Sequence, residues 1–350
     1  MDDSPDPRAA AAAAFAVALD GWDRARPVIV VGHSDADGLA AVAILVRALH
    51  AAGWTAAPRI VGKGETPWDK PLAAELAERA PGGLIVTDLG TRPEPVLPGT
   101  PTVIIDHHVP TGRAPGATVV SGNGLSPEPT SALLAWWCAG ALGDQAGLLW
   151  LAALGLIGDM APPFPELAAA EARWGKTALK DATALVNAPR RTATADAGPA
   201  LALLLRGDGP KIVTREPSPE RDALIAAKEE VKAAVEAARR TPPRVVGDVA
   251  LIRFSSPCQI HPLIAQQWRG RLKDKIVLAA NDGYRDGWVH FAARSATGRD
   301  LIDFLAAHRP AGADGRYGAG HAQATGGALR LAEWRAFAAG LGFSEQQAAA

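Results

Sequence analysis

Short apolar runs alternate with longer amphipathic segments through the first half of the chain. The predicted strands share a core of Val, Ile or Leu residues and lie at 27–31, 59–61, 84–86, 103–105 and 118–120. Runs without a polar face are typical of parallel strands that are buried on both sides. The segments 38–50 and 70–79 between them predict helices. The alternation predicts an α/β fold, with an open, mostly parallel sheet and helices on both faces.

The pattern changes after residue 160. Residues 161–216 predict irregular helices, and residues 218–240 predict one long charged helix with Ser218 as its N-cap. A second α/β pattern then follows in the order strand 249–254, helix 261–271, strand 275–280, strand 288–293, helix 299–307, glycine-rich loop 311–320, strand 327–331 and helix 332–341. We therefore predict a larger domain over 1–190, a helical linker over 191–243 and a smaller α/β domain over 244–350.

Charge is distributed unevenly between these regions. The 350 residues have a net charge of −1, which argues against a grip on long nucleic acid by the whole surface. Residues 1–160 hold 10 Lys and Arg against 17 Asp and Glu, whereas residues 244–350 hold 13 against 9. An acidic half suits bound cations, and a mildly basic half suits a small anionic substrate.

Cysteine content and hydropathy predict a cytoplasmic protein without a membrane span. Two cysteines, Cys138 and Cys258, are too few for a disulfide framework or a zinc cluster, and we expect both to be core thiols. The acidic start of the chain is unlike a signal peptide. No apolar run reaches the roughly 20 residues that a bilayer requires.

Acids follow three of the predicted buried strands. Asp35 and Asp37 come after the first, Asp88 after the third, and the triplet 106–108 (Asp-His-His) after the fourth. A further acid, Asp159, ends an apolar helical segment. The carboxyl ends of parallel strands share one edge of the sheet, so we expect these side chains to meet there.

Clustered carboxylates repel one another and need cations to remain ionised. Carboxylates with a few imidazoles suit Mn²⁺ or Mg²⁺ better than structural zinc. Two such ions about 3.5–4 Å apart serve phosphoryl transfer, because they activate a water and stabilise the leaving oxygen.

Simpler explanations exist for each residue taken alone. Asp35 and Asp37 could cap the following helix, Asp88 could be a turn residue, and the histidine pair could be structural. Their joint occurrence favours one site. The spacing fits neither a calcium loop nor a P-loop, and an aspartyl phosphatase would leave His107 and His108 unexplained.

These motifs resemble those of the DHH phosphoesterase superfamily, in particular its RecJ-type branch. Residues 33–38 (His-Ser-Asp-Ala-Asp-Gly) are similar to its first motif, Asp88 to the second, residues 106–108 to the third and Gly158-Asp159 to the fourth. The smaller domain resembles the DHH-associated domain in Arg294-Ser295 and in Gly318-Ala319-Gly320-His321, where Ala319 replaces a glycine.

The resemblance implies a role for each matching residue. Asp88 would bridge two Mn²⁺ or Mg²⁺ ions; the other implied metal ligands are His33, Asp35, Asp37, His107 and Asp159. His108 would contact the scissile phosphate, and Asp106 would orient the site. The implied substrate-binding residues are Arg294, Ser295, Gly318, Gly320 and His321.

The expected activity is hydrolysis of a nucleotide phosphodiester. The short chain and near-neutral charge favour short single-stranded oligonucleotides or dinucleotides, and an oligomer is possible. The alternatives are a RecJ-type exonuclease on longer DNA, a pyrophosphatase, and a catalytically silent scaffold. Base stacking is the less favoured alternative to core packing for four tryptophans: Trp136, Trp137, Trp268 and Trp288.

Overall fold

A computed structural model gives the fold of the chain and describes residues 6–348, except for the side chains of residues 319–321 and 348. Two compact units divide the chain. Unit 1 comprises residues 1–190 and 194–226, and unit 2 comprises residues 191–193 and 227–350. No helix of the described residues is long and apolar enough to cross a membrane.

Unit 1 contains a five-stranded, all-parallel sheet. Its strands are β1 (Val28–Gly32), β2 (Ala56–Ile60), β3 (Gly83–Thr87), β4 (Thr102–Asp106) and β5 (Thr118–Ser121). Their order is β2-β1-β3-β4-β5. Gly32 pairs with Thr87, and Thr87 with Ile105, so β1, β3 and β4 end level with one another. This register brings the polar residues that follow the three strands to one edge.

Helices cover both faces of this sheet. Those of unit 1 are α1 (Pro7–Asp20), α2 (Ala36–Ala51), α3 (Lys70–Glu78), α4 (Ser131–Ala139), α5 (Leu149–Gly158), α6 (Pro165–Trp174), α7 (Lys176–Val186), α8 (Gly198–Arg206) and α9 (Lys211–Thr214). Val28 and Val30 face a core built with α2, α4 and α5, whereas Ile29 and Val31 face a second core with α3. Burial on both sides explains why the strands are apolar throughout.

The predicted long helix forms as α10 (Pro219–Ala238). The Ser218 hydroxyl accepts a hydrogen bond from the backbone N–H of Arg221, as an N-cap does. The division between the two units falls within this helix, between Ala226 and Ala227.

Unit 2 contains a six-stranded mixed sheet. Its strands are β6 (Arg244–Val246), β7 (Val249–Phe254), β8 (Ile276–Arg285), β9 (Trp288–Ser295), β10 (Tyr317–His321) and β11 (Ala324–Arg330). Its helices are α11 (His261–Arg269), α12 (Leu301–Ala307), α13 (Leu331–Gly340) and α14 (Glu345–Ala348). The strand order is β10-β11-β9-β8-β7-β6, with β7 and β8 parallel and the other neighbours antiparallel. The predicted α/β class, with a long helix leading to a smaller mixed domain, is confirmed.

The glycine-rich stretch differs from its prediction. Residues 317–321 form strand β10, where the sequence predicts a loop over 311–320, and the paired strand β11 begins at Ala324 rather than residue 327. A Cβ at Gly327 would lie 2.7 Å from the carbonyl oxygen of Arg316, so the strands approach too closely for a side chain there. Strands made of glycine and alanine lack the apolar alternation that identifies a strand in sequence.

Candidate metal centre

Asp35 caps a helix and also belongs to the cluster of acids and histidines at this edge of the sheet. It is the N-cap of α2, and its Oδ1 accepts a hydrogen bond from the Gly38 N–H at 3.0 Å. Its Oδ2 lies 3.0 Å from Nδ1 of His33. A Cβ at Gly38 would lie 2.5 Å from the carbonyl oxygen of His33, so only glycine permits this tight turn. Capping therefore leaves one carboxylate oxygen for another partner.

Asp37 is fixed by the start of α4. One of its oxygens accepts the backbone N–H of Ser131 at 2.8 Å, and the other accepts that of Ala132 at 2.9 Å. The side chain is 1% exposed. A Cβ at Gly155 would lie 2.1 Å from Asp37 Oδ1, so glycine at that position makes room for the carboxylate.

Asp88 lies at the middle of the cluster. It has a positive φ of 62° directly after β3 and is 4% exposed. Its Oδ1 accepts the Ser131 hydroxyl at 3.0 Å and lies 3.6 Å from Nε2 of His107, while its Oδ2 lies 3.5 Å from Nδ1 of His33. The burial of this carboxylate between two imidazoles argues against the explanation that Asp88 is only a turn residue.

The triplet 106–108 at the end of β4 consists of one buried carboxylate, Asp106, and two imidazoles. Asp106 turns away from the cluster, where it accepts hydrogen bonds from the N–H groups of Gly90 and His108, each at 2.7 Å. Its Oδ1 also lies 3.1 Å from Nδ1 of His108. Nε2 of His107 lies 3.3 Å from Asp159 Oδ2, and Asp159 is the C-cap of α5.

Three groups of candidate ligand atoms arise from these contacts. Within each group the atoms lie within 4.8 Å of one another, and the groups are His33–Asp35–Asp88, Asp37–His107–Asp159 and Asp88–His107–His108. Asp88 and His107 each belong to two of the groups. The structure thus brings together all eight residues that the sequence predicts for this edge, with Asp106 behind the others.

Electrostatics show how strongly the acids interact. Burial, then Asp88 and Asp159, hold the pKa of Asp37 well above its usual range. Burial lowers the pKa of His33 and His107, but the surrounding carboxylates outweigh it and raise the two values to about 10 and about 11. Protonated imidazoles therefore compensate part of the negative charge, as bound cations would.

Several contacting residues were not identified from the sequence. Arg190 donates from Nη1 to Asp35 Oδ2 at 2.6 Å, and Asn187 accepts the Ala36 N–H at 2.9 Å through its side-chain oxygen. Ser131 bonds Asp88, and Glu128 lies 3.5 Å from Nδ1 of His107. None of these four residues belongs to a local sequence motif.

The predicted substrate-binding residues lie on strands of unit 2. The Arg294 guanidinium donates to the carbonyl oxygens of Ala293 and Thr325, and its pKa is lowered by burial and by Arg269. Ser295 is fully buried, with its hydroxyl 2.8 Å from that of Thr297. In β10, Gly318 has a φ of 82°. Of the two remaining predictions, Gly320 lies in β10, and the side chain of His321 lies outside the described residues.

Solved structures similar to this chain share its fold along nearly its whole length. RecJ from Thermus thermophilus in complex with Mn²⁺ is 24% identical with a TM-score of 0.70, and the match covers 95% of this chain and 54% of RecJ. The chain thus spans about half the length of that protein. A manganese-bound exonuclease RecJ is 23% identical with a TM-score of 0.64, covering 95% of this chain and 93% of the other.

A DHH domain described as a member of the s1p family of ribosomal proteins is 18% identical, with a TM-score of 0.65 and coverage of 95% and 90%. No family model and no curated protein sequence matches the chain. The chain has the fold of the DHH superfamily, as the resemblance of its motifs predicts.

Proposed function

We propose that this protein is a metal-dependent phosphoesterase that hydrolyses phosphodiester bonds in short single-stranded oligonucleotides or dinucleotides. The observation that carries the proposal is the position of Asp88. Its two oxygens face different imidazoles, His33 on one side and His107 on the other. One carboxylate shared by two ligand groups suits a pair of divalent cations.

The donor set fits such a pair. Asp35, Asp37, Asp88 and Asp159 supply oxygen ligands, and His33 and His107 supply nitrogen, a combination that suits Mn²⁺ with Mg²⁺ as the alternative. The hydrogen bonds to Asp37 leave further lone pairs on both of its oxygens. In the proposed assignment His33 and Asp35 would hold one ion, Asp37, His107 and Asp159 would hold the other, and Asp88 would contribute to both.

Bound ions of this kind supply an activated water and compensate the charge of the phosphate. The protein supplies orientation. Asp106 holds Nδ1 of His108 and raises the pKa of this imidazole above its usual value. Because the His108 side chain is 49% exposed, its Nε2 is available to donate a hydrogen bond to the scissile phosphate. We assign His108 to substrate contact and Asp106 to positioning.

The second unit would bind the phosphate of the substrate. Arg294 offers a planar set of N–H donors, and the close-packed glycine strand offers backbone N–H groups near Gly318 and Gly320. Ser295 and His321 complete the proposed set. A cytoplasmic location and an oligomeric state remain predictions from the sequence.

Two other functions use the same fold. A RecJ-type exonuclease on longer single-stranded DNA is supported by the likeness to two RecJ structures. A silent scaffold is disfavoured by the convergence of six candidate ligands at one edge.

The test is metal-dependent release of mononucleotides from end-labelled oligomers of about two to thirty nucleotides. We expect turnover with Mn²⁺, weaker turnover with Mg²⁺ and none after chelation. A preference for the shortest oligomers supports the proposal, whereas rising activity with length supports the exonuclease. A folded preparation that cleaves no phosphodiester with either ion would overturn both.

A further inference from the structure

Three arginines surround one tryptophan at an end of the sheet in unit 2. The guanidinium carbons of Arg330, Arg316 and Arg285 lie 4.8, 5.1 and 5.8 Å from the ring centroid of Trp288. We call these four residues the Trp288 cluster. Cation–π contact holds each guanidinium against the indole, so its side chain is ordered before any ligand arrives.

The sheet itself builds this arrangement. Trp288 opens β9, where it pairs directly with Arg330 at the end of β11 and with Arg285 at the end of β8. Arg316 precedes β10, and its carbonyl oxygen accepts the N–H of Ala328. Three strands and the segment before β10 therefore bring these four residues together.

Carboxylates compensate part of the positive charge of the cluster, since Glu333 accepts the backbone N–H of Arg330 at 2.9 Å. Arg316 has Asp314 at 3.4 Å, but no ion pair joins Arg285 or Arg330 to a carboxylate within residues 6–348. Arg316 and Arg330 are exposed, and Trp288 and Arg285 are partly so. A stacked guanidinium keeps its N–H donors at the rim of the contact, where they suit phosphate oxygens.

The cluster also shares a sheet face with Arg294. Val289, Phe291 and Ala293 point into the core with α12 and α13, so the alternate residues of β9 point to the other face. Trp288 and Arg294 both belong to that face. They are six residues apart, which is about 20 Å along a strand.

Small residues lie between the two ends on the neighbouring strand. Ala324, Gly326 and Ala328 pair with Arg294, Ala292 and His290 and therefore belong to the same face. A Cβ at Gly326 would lie 2.3 Å from the carbonyl oxygen of Phe291, so no larger side chain can stand there. On β11 the face therefore carries small residues between the two cationic ends, whereas α11 covers the neighbouring strand β9 at Ala292.

We propose that the Trp288 cluster binds the phosphodiester backbone of a single-stranded oligonucleotide whose phosphate at the other end of this face is held by Arg294. The ligand class rests on the proposed function. The spacing of about 20 Å corresponds to about six nucleotides of a stacked strand. The inference makes the substrate an oligonucleotide of this length rather than a dinucleotide.

Binding without turnover tests this inference separately from catalysis. Fluorescence anisotropy with labelled single strands of two to twelve nucleotides is measured in chelator, so no hydrolysis occurs. The wild type should bind strands of eight or more nucleotides about 10-fold more tightly than trinucleotides. The double variant Arg285→Gln/Arg330→Gln should lose this gain and leave affinity for the trinucleotide unchanged.

Salt dependence gives a second readout. Each lost phosphate contact should reduce the slope of log affinity against log salt by about 0.7, so the double variant should lose about 1.4. The matched control is Arg239→Gln/Arg240→Gln, which removes the same charge from two exposed residues directly after α10. Arg285→Lys/Arg330→Lys keeps the charge without the stacked planar group and should recover only part of the gain.

Three results would overturn the inference. They are unchanged binding of long strands by the Gln variant, an equal loss in the control, and competition by an acidic peptide as strong as that by the oligonucleotide. If the wild type hydrolyses nothing but binds longer strands more tightly, the proposed function is wrong and the binding surface is supported. If it hydrolyses dinucleotides but binds longer strands no more tightly, the binding surface is wrong and the proposed function is supported.

Discussion

The two units place charge in opposite ways. Unit 1 buries acids at a sheet edge, where Asp37 and Asp88 are almost fully covered and lie close enough to repel each other. Unit 2 keeps arginines at one end of its sheet and buries the imidazole of His261, whose pKa is lowered by burial to about 3. An acidic cluster requires cations, whereas a basic surface offers sites to an anion. We therefore expect a bound cation to stabilise unit 1 more than unit 2.

The means of fixing the side chains differ too. In unit 1 backbone N–H groups hold the carboxylates: those of Ser131 and Ala132 hold Asp37, and those of Gly90 and His108 hold Asp106. In unit 2 stacking on Trp288 holds the exposed arginines. Side chains held by backbone groups cannot adjust, so we expect sharper effects of substitution in unit 1.

The largest effect should come from Asp88→Ala. Removing the carboxylate shared by both ligand groups should lower phosphodiesterase activity by at least about 10³-fold, which corresponds to about 4 kcal/mol. Activity on labelled oligonucleotides and Mn²⁺ titration by calorimetry measure it. Asp181→Ala, an exposed aspartate of α7, is the matched control. Retained activity in the Asp88 variant would refute the bridging role.

Removal of the metal should destabilise unit 1 and leave the stability of unit 2 nearly unchanged. At an ion concentration of 100 times Kd, binding stabilises the folded state by about 2.7 kcal/mol. We expect chelation to increase amide hydrogen exchange in β1, β3 and β4 of unit 1, with little change in β7, β8 and β9 of unit 2. Equal changes in both units would contradict the comparison.

Arg190 should have the next largest effect on the metal centre. It bonds Asp35 on the same oxygen that faces His33, so it orients a proposed ligand. Loss of such a partner costs about 10- to 100-fold in metal affinity or activity. Arg190→Gln should weaken Mn²⁺ binding in this range, and Arg190→Lys should weaken it less.

Calorimetric titration with Mn²⁺ measures that effect directly. Arg113→Gln is a suitable control, because this exposed arginine of unit 1 bonds only the Ala117 carbonyl oxygen among the described contacts. An Arg190→Gln variant with unchanged metal affinity would show that the ion pair is merely structural.

The strand ends could be predicted because two simple regularities combine there. Apolar runs locate parallel strands, and parallel strands bring the residues that follow them to one edge. His33, Asp88 and His107 were identified in this way. Arg190 was not, because it is 155 residues from Asp35 and follows a helix rather than a strand. Contacts between distant segments depend on packing that no local pattern encodes.

The second sheet shows the same limit. Strand β10 was missed because glycine and alanine have no apolar period. The sequence indicates Trp288 as a candidate for base stacking, whereas its three arginine neighbours come from β8, β11 and the segment before β10. The strand order brings Arg316 and Arg330 to Trp288, whereas Arg285 lies three residues before it in the same hairpin.

The smallest predicted effect is a pH dependence confined to unit 2. His261 begins α11 and is 5% exposed. Burial, then His290, Arg191 and Arg294, lower its pKa from 6.5 to about 3. The folded state keeps this imidazole neutral, whereas the unfolded chain takes up a proton below pH 6.5. Stability should therefore fall as the pH drops from 6.5 toward 3, by about 1 kcal/mol between pH 6.5 and 5.5.

His33 and His107 behave in the opposite way when metal is removed. Their pKa values are raised to about 10 and about 11, so their contribution is complete below pH 6.5 and is lost progressively as the pH rises from 6.5 to those values. Between pH 7.0 and 5.5 in chelator, His261→Gln should thus remove acid sensitivity from the amide exchange of β7 and β8 and leave β1 and β3 unaffected. If the variant remained as acid-sensitive as the wild type, the buried neutral imidazole would not be what distinguishes unit 2 from unit 1.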